Sequence, residues 1–425
     1  MWKEVNMKKI IINGSKELTG IINISGAKNA AVALIPAAIL SDEEVTLCNV
    51  PEISDIDALE EILQYLNVDV KRATESIVIN TKNMKNKSIP SNIAKKLRAS
   101  YYFMGALLAK YKYVEMYFPG GCNIGARPIN MHLEGFKKLG AEVIEKNNKY
   151  IIKADKLKGT NIYLDIASVG ATINLMLASV KAEGVTVIEN AAREPEIVNV
   201  ATFLNSLGAK ITGAGTSIIK IKGVEKLGSG FAEIIPDRIE AGTYVIIGAL
   251  LGKNLKINNL IPSHIEALTS KLIETGANIE IGEDYVICNS ANKINSTNVR
   301  TYYFPGFATD LQQPFSVYLT QCKGTSRIEE TIYENRFMHV PYLNKMGANV
   351  KINKRTAIIK GVTPLKGRKV KATDLRAGAA MVIAGLIAQG TTTIEDVEHI
   401  LRGYEGIIDK LSNVGANIKL IDDKK

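Results

Sequence analysis

The stretch KLGAEV, residues 138–143, decides the fold because five variants of it recur along the 425-residue chain. The six copies are YLNVDV (65–70), KLGAEV (138–143), SLGAKI (206–211), ETGANI (274–279), KMGANV (345–350) and NVGANI (413–418). Their third positions are Asn67, Gly140, Gly208, Gly276, Gly347 and Gly415, separated by 73, 68, 68, 71 and 68 residues. Such regular spacing predicts six copies of one supersecondary unit.

Each copy joins a helix to a strand. The residues before it, as at 129–139 and 198–207, have helical periodicity. The Gly or Asn suits the left-handed position that ends a helix. A strand then begins, and after a turn a second strand follows, such as 150–153 or 357–360, so the pair is predicted to be a hairpin.

A second element recurs at the same period, an apolar helix with a polar or glycine-rich opening. Its copies begin at Ser25, Lys96, Ala167, Arg238, Phe307 and Asp374. Because these helices are apolar nearly all round, we expect them to be buried. A β-branched strand follows each, as at 185–188 and 391–394. The sequence therefore predicts an α/β fold with helices inside and sheets outside, in which each unit holds two helices and about four strands.

The order of the repeats predicts two domains of three units each. Residues 28–236 form the first domain, and residues 1–27 with 237–425 form the second. A chain of this length suits two cores of about 200 residues. The chain ends at 418–421 without a second hairpin strand, and the N-terminal strands within 9–24 would supply it, so the chain would cross twice between the domains.

Composition and charge narrow the classes of partner. The chain is 46% hydrophobic and 23% charged, as is typical of a globular protein. A net charge of +10 fits either a lysine-rich solvated surface or small anionic substrates. Basic runs with interleaved aromatics are missing, so nucleic acid is not expected as a partner. The apolar runs are shorter than the ~20 residues of a membrane span, and we see no signal peptide, so no membrane partner is expected either.

The cysteines and histidines do not suggest a metal site. The four cysteines, Cys48, Cys122, Cys288 and Cys322, form no CxxC pair, and the four histidines form no paired motif. So few cysteines do not make a disulfide scaffold, which predicts a reducing, cytoplasmic location.

The openings of the buried helices carry polar residues that we expect to form an anion-binding surface. They are Lys28, Asn29, Arg98, Ser168 to Gly170, Arg238, Glu240, Asp310 and Arg376. A helix N-terminus offers free N–H groups and the positive end of the dipole. Ordinary capping and solvated charge would explain any one of these residues, but the whole set favours a polyanionic substrate bound in a cleft between the domains.

Two further features suggest chemistry. The segment PGGCNIGARP, residues 119–128, has the glycines of a mobile loop and places Cys122 five residues from Arg127, whose charge would favour the thiolate. The other cysteines lie in or beside apolar strand patterns and fit small buried residues. Asp310 is either an N-terminal cap or a general base, and its position in the sequence leaves both open.

The chain resembles the UDP-N-acetylglucosamine 1-carboxyvinyltransferases, a family of enolpyruvyl transferases, over nearly its whole length. The resemblance rests on SGAKNAA, LRAS, PGGCNIGARP, SVGAT, ENAAREPEIV, PDRIEAGTY, GFATDLQQ, ENRFMHV, DLRAG and RGYEGI, in this order. It implies a two-domain inside-out α/β barrel built from six βαβαββ repeats. It also implies transfer of the enolpyruvyl group of phosphoenolpyruvate to the 3′-hydroxyl of UDP-N-acetylglucosamine, the first committed step of peptidoglycan synthesis, without a metal or organic cofactor.

The resemblance assigns a role to each site residue. Cys122 would donate a proton to the methylene carbon of phosphoenolpyruvate, form a covalent adduct with it, and be the target of fosfomycin. Asp310 would take the proton of the sugar hydroxyl. The residues implied to hold phosphoenolpyruvate are Lys28, Arg127 and Arg402. The residues implied to contact the nucleotide sugar are Asn29, Arg98, Pro128, Ile129, Asn130, Ser168, Val169, Gly170 and Ile332, with Arg336 and Arg376 lining the cleft.

Two departures and three alternatives stand beside this interpretation. Asn130 stands where the family usually has Asp on the uracil side. This departure bears on nucleotide recognition and motivates the first alternative, a variant that acts on another uridine compound. The second departure is Ala308, which replaces a common Pro. A shikimate-type enolpyruvyl transferase shares the fold but lacks a loop of the Cys122 kind. A catalytically silent homologue that binds the nucleotide sugar is the last alternative. The residues that argue against it are the intact Lys28, Cys122, Asp310 and Arg402.

Overall fold

The computed structural model describes residues 7–14, 17–120 and 129–423. These residues form two compact units. Unit I comprises the described part of residues 26–235, and unit II comprises the described part of residues 7–25 together with 236–423. The chain therefore passes between the units at Ser25–Gly26 and again at Ile235–Pro236.

Helices and strands alternate along the chain. The helices are α1 (Lys28–Ala38), α2 (Ser54–Tyr65), α3 (Ser91–Ala94), α4 (Tyr102–Tyr111), α5 (Asn130–Lys138), α6 (Val169–Ser179), α7 (Pro195–Ser206), α8 (Arg238–Leu251), α9 (Glu266–Thr275), α10 (Thr309–Thr320), α11 (Val340–Lys345), α12 (Leu375–Ile387), α13 (Glu398–Leu401) and α14 (Ile407–Asn413), with 3₁₀ helices at Arg98–Tyr101 and Pro262–His264. The strands are β1 (Met7–Asn13), β2 (Leu18–Asn23), β3 (Glu44–Cys48), β4 (Asp69–Ala73), β5 (Ser76–Asn80), β6 (Tyr113–Tyr117), β7 (Glu142–Lys146), β8 (Lys149–Lys153), β9 (Asn161–Tyr163), β10 (Val185–Glu189), β11 (Lys210–Thr212), β12 (Ile218–Lys222), β13 (Gly230–Glu233), β14 (Gly252–Asn258), β15 (Asn278–Ile281), β16 (Tyr285–Asn289), β17 (Asn298–Arg300), β18 (Gly324–Glu329), β19 (Val350–Asn353), β20 (Thr356–Gly361), β21 (Lys369–Lys371), β22 (Thr391–Glu395) and β23 (Asn417–Asp423).

The described strands form six small sheets, three in each unit. The sheets of unit I have the strand orders β13-β3-β5-β4, β6-β8-β7 and β11-β12-β10-β9. The sheets of unit II have the orders β15-β16-β14-β2, β17-β18-β20-β19 and β21-β22-β1-β23. The predicted hairpins are confirmed, since β7 pairs antiparallel with β8 and β19 with β20. Each four-stranded sheet also contains one parallel pair, for example β9 with β10.

The apolar helices predicted from the repeat form the cores of the units. In unit I, helices α1, α4 and α6 are buried over almost their whole length, and in unit II the same holds for α8, α10 and α12. The strands that surround them alternate between buried and exposed residues, as in β12. Helices inside and half-exposed sheets outside are the arrangement that the periodicities predict.

The signature residues end their helices as predicted. Their φ angles all lie in the left-handed region: 60° at Asn67, 96° at Gly140, 103° at Gly208, 91° at Gly276, 108° at Gly347 and 99° at Gly415. Glycine adopts this backbone without steric cost, and Asn tolerates it better than most residues. The sixfold repeat is therefore a repeat of backbone geometry.

The N-terminal strands complete sheets of unit II. Strand β1 pairs antiparallel with β23 and so supplies the hairpin partner that the chain end lacks. Strand β2 joins a different sheet, where it lies parallel to β14. In the same way β13, which precedes the second crossing, lies parallel to β3 in unit I. At each crossing, therefore, a strand and the buried helix that follows it belong to different units. Strand β2 belongs to unit II and α1 to unit I, whereas β13 belongs to unit I and α8 to unit II.

The two crossings are hydrogen bonded to each other on both sides. The Asp237 N–H donates to the Ser25 carbonyl at 2.9 Å, and the Ala27 N–H donates to the Ile235 carbonyl at 2.7 Å. Between these bonds, Gly26 is packed so closely that a Cβ would lie 1.7 Å from the carbonyl oxygen of Asn49.

Replacement of Gly26 by Ala is expected to destabilise the protein by about 3 kcal/mol, because backbone atoms at the crossing would have to move. Chemical denaturation measures this loss. The matched control is Gly228→Ala, where the nearest atom to a new Cβ is 3.9 Å away and stability should be unchanged or slightly raised. Equal stabilities for the two variants would contradict the prediction.

Candidate active site

Three of the predicted site residues of unit II form one ionic cluster. Asp310 lies in the first turn of α10, and its oxygens bind two arginines. Arg376 donates to Oδ2 from Nε at 3.1 Å and from Nη2 at 3.0 Å, while Arg336 donates to Oδ1 from Nη2. The N-cap of α10 is Ala308, so Asp310 is not the cap of its helix, and the capping alternative is wrong.

This cluster holds Asp310 in its ionised form. Burial alone would raise the pKa of the carboxyl group, but the charges of Arg376, Arg336 and Arg238 outweigh it and lower the pKa well below its usual range. Both Arg336 and Arg376 are 3% exposed. Three guanidinium groups surround this carboxylate, and Asp237 and Asp374 are further acidic residues near Arg376. Among the described residues, Arg336 Nε and Arg376 Nη1 are buried without a hydrogen-bond acceptor.

The arginines are fixed by neighbours that the sequence did not identify as functional. Asp374 caps α12 and accepts hydrogen bonds from the backbone N–H groups of Arg376 and Ala377. Gln313 Nε2 donates to the Arg336 carbonyl at 2.9 Å and to the Asp374 carboxylate at 3.2 Å. Through Gln313, the cap residue Asp374 is therefore also linked to the segment that carries Arg336.

Glu330 is a further residue that sequence reasoning missed. Its buried carboxylate accepts hydrogen bonds from the Ile332 and Tyr333 N–H groups at 2.8 and 3.1 Å and from the Thr309 hydroxyl at 2.8 Å. Thr309 directly precedes Asp310. Glu330 thus ties the predicted contact residue Ile332 to the turn that carries the candidate base.

Arg402 is half-buried at the C-terminal end of α13, which packs against α12. Two residues further on, the ring of Tyr404 lies 5.3 Å from the Arg376 guanidinium carbon. The Tyr404 hydroxyl is hydrogen bonded to Thr243 at 2.9 Å. The segment of Arg402 is thereby connected to the arginine cluster.

The prediction that Glu240 contributes to an anion-binding surface is wrong. The Glu240 side chain is 2% exposed. Its carboxylate accepts hydrogen bonds from Lys410 at 2.5 Å and from the Ser25 N–H at 2.9 Å. Lys410 also donates to the Ser25 hydroxyl at 2.6 Å. A first-turn position does not fix the direction of a side chain, and this one points into unit II, where it anchors the end of the first crossing.

Glu240 makes the stability depend on pH. Burial, opposed by Lys410, raises its pKa to about 7, above the value of about 4.3 expected in the unfolded chain. Between these values the folded state holds a proton that the unfolded state lacks, so stability falls as pH rises. Glu240→Gln should remove up to about 1.4 kcal/mol per pH unit from this slope, as measured by denaturation between pH 5 and 7. Exposed Glu17→Gln is the control and should leave the slope unchanged.

In unit I the predicted residues lie at the starts of separate helices. Lys28 and Asn29 begin α1, and the Lys28 ammonium binds the buried Asp55 carboxylate of α2 at 2.6 Å. Asp55 was not identified from the sequence. Ser168 is the N-terminal cap of α6 and accepts a hydrogen bond from the Ala171 N–H at 3.2 Å. It therefore lies at the end of the helix that was predicted to face an anion.

Arg98 lies outside the buried helix that was predicted to carry it. That helix, α4, begins only at Tyr102, and the half-buried Arg98 opens the preceding 3₁₀ helix. Ile129 is buried as the N-cap of α5, and the exposed Asn130 is the first residue of that helix. Val169 and Gly170 form the first turn of α6. The structure thus places all of these residues of unit I at helix openings.

Three predicted site residues, Cys122, Arg127 and Pro128, lie outside the described residues. The other cysteines match the prediction of buried residues in part. Cys288 and Cys322 are fully buried, and burial raises the pKa of each thiol to about 12, whereas Cys48 is half-buried.

Within the described part of the chain no group of three His, Cys, Asp or Glu residues could hold a metal ion. No described helix is long and apolar enough to span a membrane.

Comparisons with known proteins agree with this architecture. The family model of EPSP synthase (3-phosphoshikimate 1-carboxyvinyltransferase) matches residues 12–411. A curated protein of Listeria innocua, UDP-N-acetylglucosamine 1-carboxyvinyltransferase 2, is 50% identical over 410 residues, which cover 96% of this chain and 97% of that protein. The protein of the same name from Geobacillus kaustophilus is 50% identical over 421 residues, 98% of each chain.

Solved structures show the same fold. The enolpyruvyl transferase NikO from Streptomyces tendae has a TM-score of 0.89 at 23% identity, covering 99% of this chain and 100% of that one. EPSP synthase from Acinetobacter baumannii has a TM-score of 0.76 at 16% identity, covering 98% and 100%. The inside-out α/β fold that the sequence predicts is confirmed.

The chain belongs to the EPSP synthase family of enolpyruvyl (1-carboxyvinyl) transferases and is an enzyme of that class. Within the family it is most informatively compared with the UDP-N-acetylglucosamine 1-carboxyvinyltransferases 2, because half of its residues are identical to theirs over nearly the full length.

Proposed function

We propose that this enzyme transfers the enolpyruvyl group of phosphoenolpyruvate to the 3′-hydroxyl of UDP-N-acetylglucosamine and releases phosphate. The observation that carries the proposal is the 50% identity, over 96% of the chain, to a relative named for this reaction. The arginine-bound Asp310 supports it, because the reaction needs a carboxylate near a sugar hydroxyl and cations for two anionic substrates. The shikimate alternative is disfavoured by the 16% identity to EPSP synthase.

The proposed chemistry is addition followed by elimination. The 3′-oxygen of the sugar attacks C2 of phosphoenolpyruvate, its proton passes to Asp310, and C3 takes a proton from Cys122. The resulting intermediate then loses a proton from C3 and phosphate from C2, which restores the double bond. Cys122 also forms a covalent adduct with phosphoenolpyruvate. In this scheme no metal or organic cofactor takes part.

Asp310 is a weak base while both arginines bind it, because their charges lower its pKa. Substrate oxyanions would compete for the same guanidinium groups, and each one that turns to substrate raises the basicity of the carboxylate. The unfilled donor positions on Arg336 and Arg376 support such an exchange. Binding of the anions and activation of the base would then be coupled.

The remaining residues bind substrate in this proposal. Phosphoenolpyruvate is held by Lys28, Arg127 and Arg402. The nucleotide sugar is held by Asn29, Arg98, Pro128, Ile129, Asn130, Ser168, Val169, Gly170 and Ile332, with Arg336 and Arg376. These groups act together in a cleft between residues 28–236 and the remainder of the chain. The product enters peptidoglycan synthesis in the cytoplasm and so contributes to cell shape and division.

The direct test is phosphate release from phosphoenolpyruvate with each candidate acceptor. Release with UDP-N-acetylglucosamine but not with shikimate 3-phosphate is expected. Release only with shikimate 3-phosphate would favour the alternative transferase. Binding of the nucleotide sugar without release from either acceptor would favour the silent homologue.

Cys122→Ser is expected to abolish alkylation by fosfomycin and to lower kcat by at least tenfold, because a hydroxyl is a far weaker proton donor than a thiol. Mass spectrometry of the intact chain measures the adduct. The buried thiols of Cys288 and Cys322 should not react, and Cys48→Ser is the control that retains one adduct per chain. A full adduct on the Cys122 variant would identify a different target.

A further inference from the structure

A buried asparagine in unit I binds three of its elements at once. Asn174 lies within α6 and has no exposed surface. Its Oδ1 accepts a hydrogen bond from the Gly105 N–H of α4 at 2.8 Å. Its Nδ2 donates to the Tyr101 carbonyl at 3.0 Å and contacts Nδ1 of His132 in α5 at 2.9 Å. Both amide hydrogens and the carbonyl oxygen are therefore engaged.

This arrangement selects one tautomer of His132. The backbone N–H of Gly105 can only donate, so the amide oxygen of Asn174 must face it and the amide nitrogen must face His132. Nδ1 then accepts, and the single imidazole proton resides on Nε2. Burial and the nearby charge of Arg98 lower the pKa of His132 to about 3, so the ring is neutral at physiological pH.

The same cluster is packed against the first turn of α6. A Cβ on Gly170 would lie 2.6 Å from the Tyr101 hydroxyl and 3.3 Å from Cε1 of His132. The rings of Tyr101 and His132 meet edge to face, with centroids 4.9 Å apart. Only glycine therefore fits at position 170 while Tyr101 and His132 keep these positions.

Three segments with proposed nucleotide-sugar contacts meet at this cluster. Arg98 opens the 3₁₀ helix that ends at Tyr101, and Asn130 lies two residues before His132 on α5. The third segment is the first turn of α6, which includes Gly170. Asn174 is the residue hydrogen bonded to two of these segments and located on the third.

We infer that Asn174 is a positioning residue for the nucleotide sugar, which sets the spacing of these three segments without touching the substrate. This inference rests on the proposed function of the site. A buried amide with all its hydrogen bonds made specifies one arrangement, whereas an apolar residue of the same shape would allow several. Loss of Asn174 should therefore weaken nucleotide-sugar binding selectively.

The test compares Asn174→Leu with the wild-type enzyme and with Thr172→Val. Thr172 is equally buried on α6 and accepts one hydrogen bond from the Ala192 N–H, so its variant loses a bond in the same helix without touching the cluster. We expect Asn174→Leu to raise the calorimetric Kd for UDP-N-acetylglucosamine about tenfold, with the KM for phosphoenolpyruvate and kcat at saturation within about threefold. The Thr172 variant should bind like wild type.

A second measurement covers the case in which Asn174→Leu does not fold. In His132→Phe the ring packing against Tyr101 is kept but the Nδ1 acceptor is removed, and the same selective loss is expected. Nitrogen NMR of the wild type should show His132 protonated at Nε2. Equal weakening of both substrates, unchanged nucleotide-sugar binding, or a proton on Nδ1 would overturn the inference alone. Failure of the wild type to bind the nucleotide sugar would instead overturn the proposed function and the inference with it.

Discussion

Replacement of Asp310 by Asn is expected to lower kcat for phosphate release by about 10³-fold, the range typical of a lost general base. An amide cannot take the proton of the 3′-hydroxyl. The substitution also removes the anion that Arg336 and Arg376 share, so about 3 kcal/mol of stability should be lost. Initial rates at saturating substrates and denaturation curves measure the two effects separately.

The control for this variant is Asp284→Asn, an exposed carboxylate of unit II, which should change neither quantity. The low pKa of Asp310 adds a further constraint. Its contribution to stability is present above the unfolded value of about 3.9 and is lost only as pH falls through the still lower folded value. A decline of kcat/KM between pH 8 and 5 would therefore come from another group, because kcat/KM reports the pKa values of the free enzyme. A wild-type rate for Asp310→Asn would rule it out as the base.

Much of the fold could be predicted because the repeat encodes local geometry. Helix periodicity, a left-handed residue and a hairpin recur within about 70 residues, and each leaves its own pattern in the sequence. The sequence also predicted that the N-terminal strands complete the second domain, but not that β2 pairs with β14 or that β13 pairs with β3. Strand β2 pairs with β14, more than 200 residues away, and the sequence of neither strand indicates which strand it pairs with. Pairing between distant strands depends on tertiary packing, which one sequence does not show.

The site was predictable in its charges but not in its pairings. The positions of Lys28, Asp310 and Arg376 at helix openings follow from the apolar pattern that surrounds them. Their partners do not, because Asp55 and Glu330 look like ordinary surface carboxylates until the fold buries them. Glu240 shows the opposite error, since its place in a first turn suggested substrate binding while its side chain binds Lys410. The direction of a side chain is a property of the folded unit.

The ion pair of Lys28 and Asp55 leads to the second large effect. Lys28→Met should raise the KM for phosphoenolpyruvate about 10²-fold, because the half-buried ammonium group that would bind a substrate oxyanion is lost. The same change leaves the Asp55 carboxylate buried without its cation, and about 3 kcal/mol of stability should go with it. One substitution therefore cannot distinguish a binding residue from a structural one.

The double variant Lys28→Met with Asp55→Asn separates these roles. Without a charge at Asp55, most of the lost stability should return, while the KM for phosphoenolpyruvate should stay high because the cation is still missing. Lys110→Met is the control for loss of a paired lysine in the same unit, since Lys110 pairs with the exposed Asp42 and its loss should leave the KM unchanged. If the double variant regained the wild-type KM along with its stability, Lys28 would serve only to neutralise Asp55. A persistent rise in KM at restored stability would instead assign the ammonium group to the substrate phosphate or carboxylate, and Asp55 to holding that group at the opening of α1.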